Sequence, residues 1–245
     1  MINGKSVSLC MVAFNNADLT AKAIESAKEI TDEVVIVDQG SNPEESEKFK
    51  KLANVYHYTT NKGNADYDRQ FCYALANKDY ILAMDSDELL TEEVIRTLKN
   101  TIEKYDFDLA WFMFHNTIFY SNGDGTEVKM VDIHKLLGDD PHPRFWKSQI
   151  DIGNGQRRPP IIWGNEAHQF PQIVTQKQVF LECKFEHSRD LKTVINTHLR
   201  RSQNISPQAV QTEKNFVRSV LQEFGFELQK KITHEIPELK HYLKD

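Results

Sequence analysis

Apolar and polar positions along the first 105 residues follow two alternating patterns. The runs Val7–Ala13 and Glu33–Asp38 are apolar with little alternation, which is typical of parallel strands buried on both faces. Between them, residues 18–30 repeat apolar positions at helical spacing. Segments of the same two kinds follow as strands near 54–60 and 80–84 and helices near 65–76 and 91–105. This order predicts an α/β fold, a mostly parallel sheet with helices on both faces and ligands at the carboxyl ends of its strands.

The pattern changes after Asp108. Pro and Gly become frequent between residues 138 and 171, which indicates irregular loops laid over the sheet. Around these loops the pattern predicts aromatic strands at 109–114 and 117–120, a turn at 122–125, strands at 126–131 and 178–185, and helices at 190–203 and 207–224. A helical segment therefore follows the sheet.

Composition narrows the classes of protein that fit this pattern. With 245 residues, 40% of them apolar, the chain can form one sizeable core with a helical appendage. The formal charge of -6 and the pI near 5.9 argue against binding nucleic acid through a broadly basic surface. Cys10, Cys72 and Cys183 lie far apart, which favours buried thiols in a reducing compartment. A cytoplasmic location without a membrane span is expected.

Acidic residues cluster immediately after the strand near 80–84. Asp85, Asp87 and Glu88 follow an apolar run, and alternate spacing lets carboxylates converge on one hard cation. Such a cation would clamp a diphosphate and neutralise the charge that builds up on a departing nucleoside diphosphate. Alternatively, the acids only favour the N-terminus of the helix that Thr91 caps. The motif alone leaves both interpretations open.

Three motifs in the same order, each at a strand end, resemble family 2 glycosyltransferases of the GT-A (Rossmann-like) fold. They are Ser8-Leu9-Cys10-Met11-Val12 with Asn15-Asn16, Val35-Ile36-Val37-Asp38-Gln39-Gly40-Ser41, and Leu82-Ala83-Met84-Asp85-Ser86-Asp87-Glu88. The resemblance covers the first 105 residues well and the next stretch loosely. It is closest to the bacterial branch that decorates lipopolysaccharide cores, and a phage-encoded member is a further alternative.

The resemblance implies roles for individual residues. Asp38 would contact the nucleoside, with Asn15 and Gly40 beside it, whereas Asp85 and Asp87 would hold the ribose and the metal-bound diphosphate. The expected donor is a nucleoside-diphosphate sugar, in particular a UDP-sugar, and the expected cofactor is Mn²⁺ or Mg²⁺. An acid at the end of a parallel strand can indeed accept hydrogen bonds from a base or a ribose. Alternatively, Asp38 only bonds its own turn before Gly40.

Two arginines are also candidates for donor binding. Arg69 matches an arginine at the start of the family's helix before the acidic motif, although its neighbours differ. Arg144 lies in His142-Pro143-Arg144-Phe145-Trp146, which resembles the family's Pro-Arg-aromatic strand. A planar guanidinium suits phosphate oxygens. The alternative for Arg69 is an ion pair with Asp66 or Asp68.

The catalytic base departs from the family pattern. The segment Trp163-Gly164-Asn165-Glu166-Ala167-His168-Gln169 resembles the family's Gly-x-x-His-Glu segment, but Gln169 stands where relatives usually have Glu. Gln cannot take the proton of an acceptor hydroxyl during in-line attack at the anomeric carbon. The preferred substitute is Glu166, for which an ordinary surface glutamate is the alternative. Its competitors are Asp139, Asp140 and, as a fallback, His168.

A third metal ligand is implied by the resemblance of Phe185-Glu186-His187-Ser188-Arg189 to the late histidine of many family members. His187 would bind the metal beside Asp85 and Asp87, since imidazole is a reasonable ligand for manganese. The alternative is a hydrogen-bonded structural histidine.

The acceptor is expected to be a glycan or another hydroxyl substrate. Aromatic rings stack on the apolar faces of sugars, and most of the candidates for such a platform are equally suited to the core. These candidates are Trp111, Phe112, Phe114, Trp146 and Trp163. A hydroxymethylated DNA base is an alternative acceptor, to which Arg157-Arg158 lends only weak support.

These features together predict an inverting, metal-dependent glycosyltransferase. Its expected parts are a donor-binding half at residues 1–105, an acceptor-binding and metal-completing half at 106–189, and a helical extension at 190–245. The extension is expected to pack on the domain or to form a homo-oligomer. A catalytically inactive nucleotide-sugar-binding or scaffold protein is the main competitor. A sugar nucleotidyltransferase fits less well, because residues 13–18 lack a Gly-rich basic phosphate loop.

Overall fold

The computed structural model describes residues 2–60, 65–121, 127–133, 141–163, 171–202 and 207–244. The chain divides into two compact units: Met1–Phe114 with Pro141–Glu186, and His115–Asp140 with His187–Asp245. The predicted α/β fold is confirmed. Within the described residues, no helix is both long and apolar enough to cross a membrane.

The first unit is a sheet with helices on both faces. Its elements in chain order are β1 (Val7–Ala13), α1 (Ala17–Ala27), β2 (Glu33–Asp38), α2 (Pro43–Leu52), β3 (Val55–Tyr58), α3 (Ala65–Leu75), β4 (Tyr80–Ala83), β5 (Glu88–Leu89), α4 (Glu92–Lys104), β6 (Leu109–Ser121), β8 (His142–Lys147), β9 (Ile150–Asp151), β10 (Arg157–Arg158), β11 (Ile161–Trp163), β12 (Pro171–Ile173) and β13 (Gln178–Asp190). Both β6 and β13 continue into the second unit.

The strand order along the main sheet is β3-β2-β1-β4-β8-β6-β13-β5. The strands β3, β2, β1 and β4 pair in parallel, whereas β8 pairs antiparallel with both β4 and β6. Parallel pairing brings the carboxyl ends of β1, β2 and β4 to one edge of the sheet. The candidate donor-binding residues follow these three strands.

Alternation along β1 creates two apolar layers. Leu9 and Met11 pack in a core that includes residues of α1, α2 and α4, whereas Cys10 packs on the opposite face with Cys72 of α3. Period-2 side-chain geometry separates these positions. Because both faces of the central strands are covered, all six residues of β2 are buried.

Two helix starts are fixed by side-chain caps, among them Thr91, which the sequence predicts as a cap. The Asn42 side chain accepts a hydrogen bond from the Glu45 backbone N–H at 3.0 Å, directly before Pro43 begins α2. The Thr91 side chain accepts one from the Val94 backbone N–H at 3.3 Å at the start of α4. These caps set where the loops after β2 and after the acidic turn end.

The second unit joins a central hairpin to the C-terminal helices. It contains the later part of β6, then β7 (Glu127–Asp132), which pairs antiparallel with β6, and the helices α5 (Leu191–Ser202), α6 (Pro207–Phe224), α7 (Phe226–Glu235) and α8 (Glu238–Tyr242). Its core combines Ile118 and Val131 of the hairpin with Val220, Leu221 and Ile232 of the helices. The apolar face of α6 is therefore buried within its own unit.

Some elements differ from the sequence prediction. Residues 109–114 and 117–120 form one continuous strand, β6, rather than two, and β13 extends past the predicted end at 185. The region expected to be irregular includes two short strand pairs, β9 with β10 and β11 with β12, beside β8, which lies where the resemblance implied a Pro-Arg-aromatic strand. The pattern did not predict α7 and α8. The predicted turn at 122–125 lies outside the described residues.

Candidate functional site

The turns after β1 and β2 are joined by direct hydrogen bonds. Asn15 and Gly40 both have positive φ, 50° and 83°, a conformation that Gly and Asn tolerate best. The Asn15 backbone N–H donates to Ser41 Oγ at 2.8 Å, and Asn15 Oδ1 accepts from the Asn42 backbone N–H at 2.9 Å. Both candidates therefore shape one loop surface at the strand ends.

Asp38 lies at the end of β2 and is 0% exposed. One carboxylate oxygen accepts from the Ser41 backbone N–H at 2.9 Å, and the other accepts from Ser46 Oγ at 2.5 Å and Tyr56 Oη at 2.8 Å. Burial raises the pKa of Asp38, but these hydrogen bonds outweigh it and hold the pKa below its ordinary value. The bond to its own turn, expected under the alternative interpretation, is present.

The acidic turn after β4 is held by Glu88 and by α1. Glu88 is 1% exposed, and its Oε2 accepts from the Asp85 backbone N–H at 3.0 Å. The Ser86 hydroxyl lies 2.9 Å from the Thr20 hydroxyl of α1. Asp85 and Asp87 remain partly exposed. The turn therefore buries one of its three acids and presents the other two.

The two candidate arginines converge on Asp85. Arg69 Nη2 of α3 donates to Asp85 Oδ1 at 2.6 Å, and Arg144 Nη2 of β8 lies 3.4 Å from Asp85 Oδ2. Arg144 also pairs with Glu88, and its guanidinium lies 5.2 Å from the centre of the Phe114 ring. Of the two alternative partners of Arg69, Asp68 accepts from Gln39 Nε2 at 2.5 Å and from Thr59 Oγ1 at 3.2 Å, and the side chain of Asp66 lies outside the described part of the chain.

These charged groups border a small pocket between β1, β4, α3 and β8. The pocket, about 200 Å³ including space open to solvent, is lined by Arg69, Arg144 and Asp85 together with Cys10 and Cys72. Burial lowers the pKa of Arg144, but Glu88 and Asp85 outweigh this and raise it above its usual value. The buried Arg144 Nε–H has no hydrogen-bond partner among the described residues. An anionic ligand oxygen would satisfy this donor.

Asp85 and Asp87 are suitable ligands for a hard divalent cation. Such cations in nucleotide sites commonly take one or two carboxylates from the protein and further oxygens from phosphates and water. Among the described residues, no cluster of three His, Cys, Asp or Glu side chains suited to a metal is found. The donor set therefore fits a cation that arrives with phosphate oxygens better than one held by the protein alone.

His187 lies in the second unit, where its Nδ1 is 2.7 Å from Asn116 Oδ1. This is the kind of contact that fixes the orientation of a metal-binding imidazole, and it equally suits a structural histidine.

Among the aromatic candidates, Phe112, Phe114 and Trp146 are buried. Trp111 is partly exposed and stacks on Phe180, with the two ring centres 5.6 Å apart.

The candidate bases lie outside the described residues. These candidates are Glu166, His168, Asp139 and Asp140. Gln169, which stands where relatives usually have Glu, also lies outside the described residues.

Sequence reasoning missed the residues that surround the predicted ones. Ser46 and Tyr56 bind Asp38 from positions eight and eighteen residues away, and no motif singles them out. Glu88 was read as a third acid of the turn, whereas the structure buries it against Arg144. A short apolar strand followed by acidic residues carries no information about which of them pairs with a distant arginine, so only the fold reveals this pairing.

Comparison with known proteins identifies a family for the chain. Residues 8–156 match the family described as Glycosyl transferase family 2. The chain is 30% identical over 115 residues to poly(ribitol-phosphate) beta-N-acetylglucosaminyltransferase TarP of Staphylococcus aureus, covering 43% of this chain and 35% of that protein. It is 27% identical over 166 residues to glycosyltransferase GlyG of Streptococcus pneumoniae, covering 64% of this chain and 51% of that protein.

Among solved structures, the chain is similar to mannosyltransferase PcManGT from Pyrobaculum calidifontis, in complex with GDP-Man and Mn²⁺, at a TM-score of 0.38 and 17% identity. That similarity covers 45% of this chain and 36% of the mannosyltransferase. The chain thus spans between about a third and a half of the length of these relatives. Since the family match includes more than half of its residues, the chain belongs to glycosyl transferase family 2.

Proposed function

We propose that this chain transfers a sugar from a nucleoside-diphosphate sugar, in particular a UDP-sugar, to a hydroxyl acceptor with inversion at the anomeric carbon. The observation that carries the proposal is the convergence of Arg69, Arg144 and Asp85 in one pocket at the carboxyl ends of β1 and β4. Family membership supports the reaction class. The branch that decorates lipopolysaccharide cores, and a phage origin, stay predictions.

The loop joined by Asn15, Gly40 and Ser41 would receive the nucleoside. Asp38 lies at the base of this loop. Its carboxylate would either accept a hydrogen bond from the base or ribose directly or hold Ser41 in position to contact the nucleoside. In this proposal Arg69 and Arg144 bind the diphosphate, for which a planar guanidinium provides paired donors. The buried Nε–H of Arg144, for which the described part of the chain offers no hydrogen-bond partner, supports this assignment.

Mn²⁺ or Mg²⁺ would be held by Asp85 and Asp87 together with the diphosphate, and His187 remains the proposed third protein ligand. When bound, the cation would supply charge neutralisation for the leaving diphosphate. Glu166 is the proposed base that takes the proton from the acceptor hydroxyl, with Asp140 and His168 as the other candidates. The acceptor proposed is a glycan hydroxyl; DNA is a weaker alternative.

Donor binding tests the proposal most directly. UDP-, GDP- and CMP-sugars are screened by thermal shift with and without Mn²⁺, on the wild-type protein and on Asp87→Asn. We expect one nucleotide class to raise the melting temperature only with Mn²⁺, by an amount corresponding to about 2.7 kcal/mol at a hundredfold excess over Kd. We expect Asp87→Asn to abolish that shift.

The matched control is Glu92→Gln, because it removes one negative charge from an exposed position in the first turn of α4. This variant should keep the full ligand shift. Absence of a shift with every nucleotide sugar on the wild type would refute the donor-site assignment. Donor binding without release of nucleoside diphosphate, even with a panel of glycan acceptors, would instead favour the inactive binding protein.

A further inference from the structure

Both carboxylate oxygens of Asp85 are engaged by guanidinium groups. Oδ1 accepts from Arg69 at 2.6 Å, and Oδ2 lies 3.4 Å from Arg144. The same carboxylate is the proposed ligand of the divalent cation. A cation that approaches Asp85 therefore meets one guanidinium at each oxygen, and like charges within a few ångströms repel.

The two arginines differ in how firmly they are held. The Arg144 side chain is 13% exposed and pairs with Glu88, which is 1% exposed, beside the Phe114 ring. The Arg69 side chain is 26% exposed and extends from the surface of α3. Its bond to Asp85 is also the shorter of the two. Arg69 is thus the arginine that blocks Asp85 most closely and the one with more room to leave it.

A diphosphate resolves this competition. Its oxygens are strong acceptors for Arg69 and are at the same time ligands for the cation. If Arg69 turned to the diphosphate, Asp85 Oδ1 would become available to a cation, and the phosphate charge would offset the repulsion between that cation and the guanidinium. The cation and the diphosphate then stabilise each other's binding, and this coupling is reciprocal.

Resting on the proposed function, we propose that Arg69 makes metal binding at the donor site depend on the nucleotide. It keeps divalent cations off Asp85 until a nucleoside diphosphate arrives, and then binds that diphosphate. Cation and nucleotide consequently load together rather than one after the other. The enzyme would not be occupied by free Mn²⁺, and nucleosides without a diphosphate would not recruit the metal.

The test measures Mn²⁺ binding itself, by electron paramagnetic resonance of free Mn²⁺, and nucleotide binding by calorimetry, with UDP, GDP and uridine as probes. The variants are Arg69→Ala, which removes the charge, and Arg69→Lys, which keeps the charge without the planar fork. Arg96→Ala is the matched control, because Arg96 is an exposed arginine on α4. Thermal unfolding of each variant without ligand verifies folding.

We expect opposite effects on the two ligands. In Arg69→Ala, Mn²⁺ alone should bind about tenfold more tightly than in the wild type, whereas UDP or GDP with Mn²⁺ should bind about tenfold more weakly. Arg69→Lys should lie between these values, and Arg96→Ala should match the wild type. Uridine should not increase Mn²⁺ binding in any variant. A merely structural role for Arg69 would weaken both ligands together.

Two results overturn the proposal in distinguishable ways. If UDP or GDP binds the wild type with Mn²⁺ but Arg69→Ala leaves the affinity for Mn²⁺ alone unchanged or weaker, the inference fails and the proposed function stands. If no nucleoside diphosphate binds any folded variant with or without Mn²⁺, the donor site itself is wrong and the inference fails with it.

Discussion

At the scale of single residues, Glu88 connects the acidic turn after β4 to Arg144 of β8. Its carboxylate accepts from the Asp85 backbone N–H at 3.0 Å and pairs with the Arg144 guanidinium, and its side chain is 1% exposed. A carboxylate in this position compensates the positive charge of a buried arginine. Glu88 therefore acts on the site through the placement of Arg144 and Asp85.

We expect Glu88→Gln to lower the free energy of unfolding by about 3 kcal/mol, because it leaves the charge of Arg144 less compensated in a buried setting. Urea denaturation at neutral pH measures this change. The exposed Glu92→Gln should alter the same quantity by less than about 0.5 kcal/mol. Equal stability of both variants would show that Glu88 contributes no net stabilisation to the turn.

Residue-level prediction from the sequence was most informative where a motif existed. Asp85, Arg69 and Arg144 were each predicted from a separate segment, and the structure brings these three side chains together. The partners that hold them carry no signal, because pairing between residues far apart in sequence depends on strand order and register. The direct roles of these residues in binding and catalysis stay predictions.

At the scale of elements, the turn from β2 into α2 depends on one buried carboxylate. Asp38 collects hydrogen bonds from Ser41 in the turn, Ser46 of α2 and Tyr56 of β3. It thereby joins three consecutive elements at the edge of the sheet where the turns after β1 and β2 meet. Burial raises the pKa of Tyr56 to about 12, so the phenol remains a hydrogen-bond donor at neutral pH.

We expect Asp38→Asn to lose about 2 kcal/mol of stability at pH 7, since an amide oxygen accepts these hydrogen bonds more weakly than a carboxylate. The pKa of Asp38 is lower in the folded protein than its ordinary value, so its stabilising effect is present above about pH 4 and is lost as the pH falls through the folded-state pKa. The stability gap between wild type and variant should therefore narrow as the pH falls below about 4 and on through the folded-state pKa.

Urea titrations across this pH range measure the gap. Asp18→Asn is the control, because the Asp18 side chain is 88% exposed and its removal should leave stability nearly unchanged. Tyr56→Phe, which removes one of the donors to Asp38, should cost about 1 kcal/mol. A gap that stays constant with pH would contradict the assigned role of the ionised carboxylate.

Element prediction was accurate for the first half of the chain. The strands Val7–Ala13 and Glu33–Asp38 form where the apolar runs are unbroken, and α4 begins at Glu92 directly after the predicted cap Thr91. Element prediction was weaker after Asp108, where neither the spacing of apolar residues nor the aromatic content distinguishes a strand from a loop. Thus β6 was divided in two, although Asn116 and Thr117 are buried inside a continuous strand.

At the scale of the whole molecule, the grouping of segments into units is not encoded in local patterns. The second unit combines the hairpin of β6 and β7 with helices near the C-terminus, so Tyr120 Oη donates a hydrogen bond to Glu235 across 115 residues of sequence. Periodicity predicts that a helix has an apolar face but not which segment covers it. The helical extension predicted at 190–245 shares its core with this hairpin.

The stability of the second unit should therefore depend on α6. Leu221 is 4% exposed and packs in the core that includes Ile118 and Val131 of the hairpin. We expect Leu221→Ala to lower the free energy of unfolding by about 2–5 kcal/mol, because truncation leaves a cavity between the helix and the hairpin. Phe226→Ala is the control, since Phe226 is 74% exposed, and it should cost less than about 1 kcal/mol. Chemical denaturation measures the free energy of unfolding of both variants, and hydrogen exchange measures the local stability of β7. If Leu221→Ala leaves exchange in β7 unchanged, α6 does not stabilise the hairpin, and α5 and α7 must suffice to cover it.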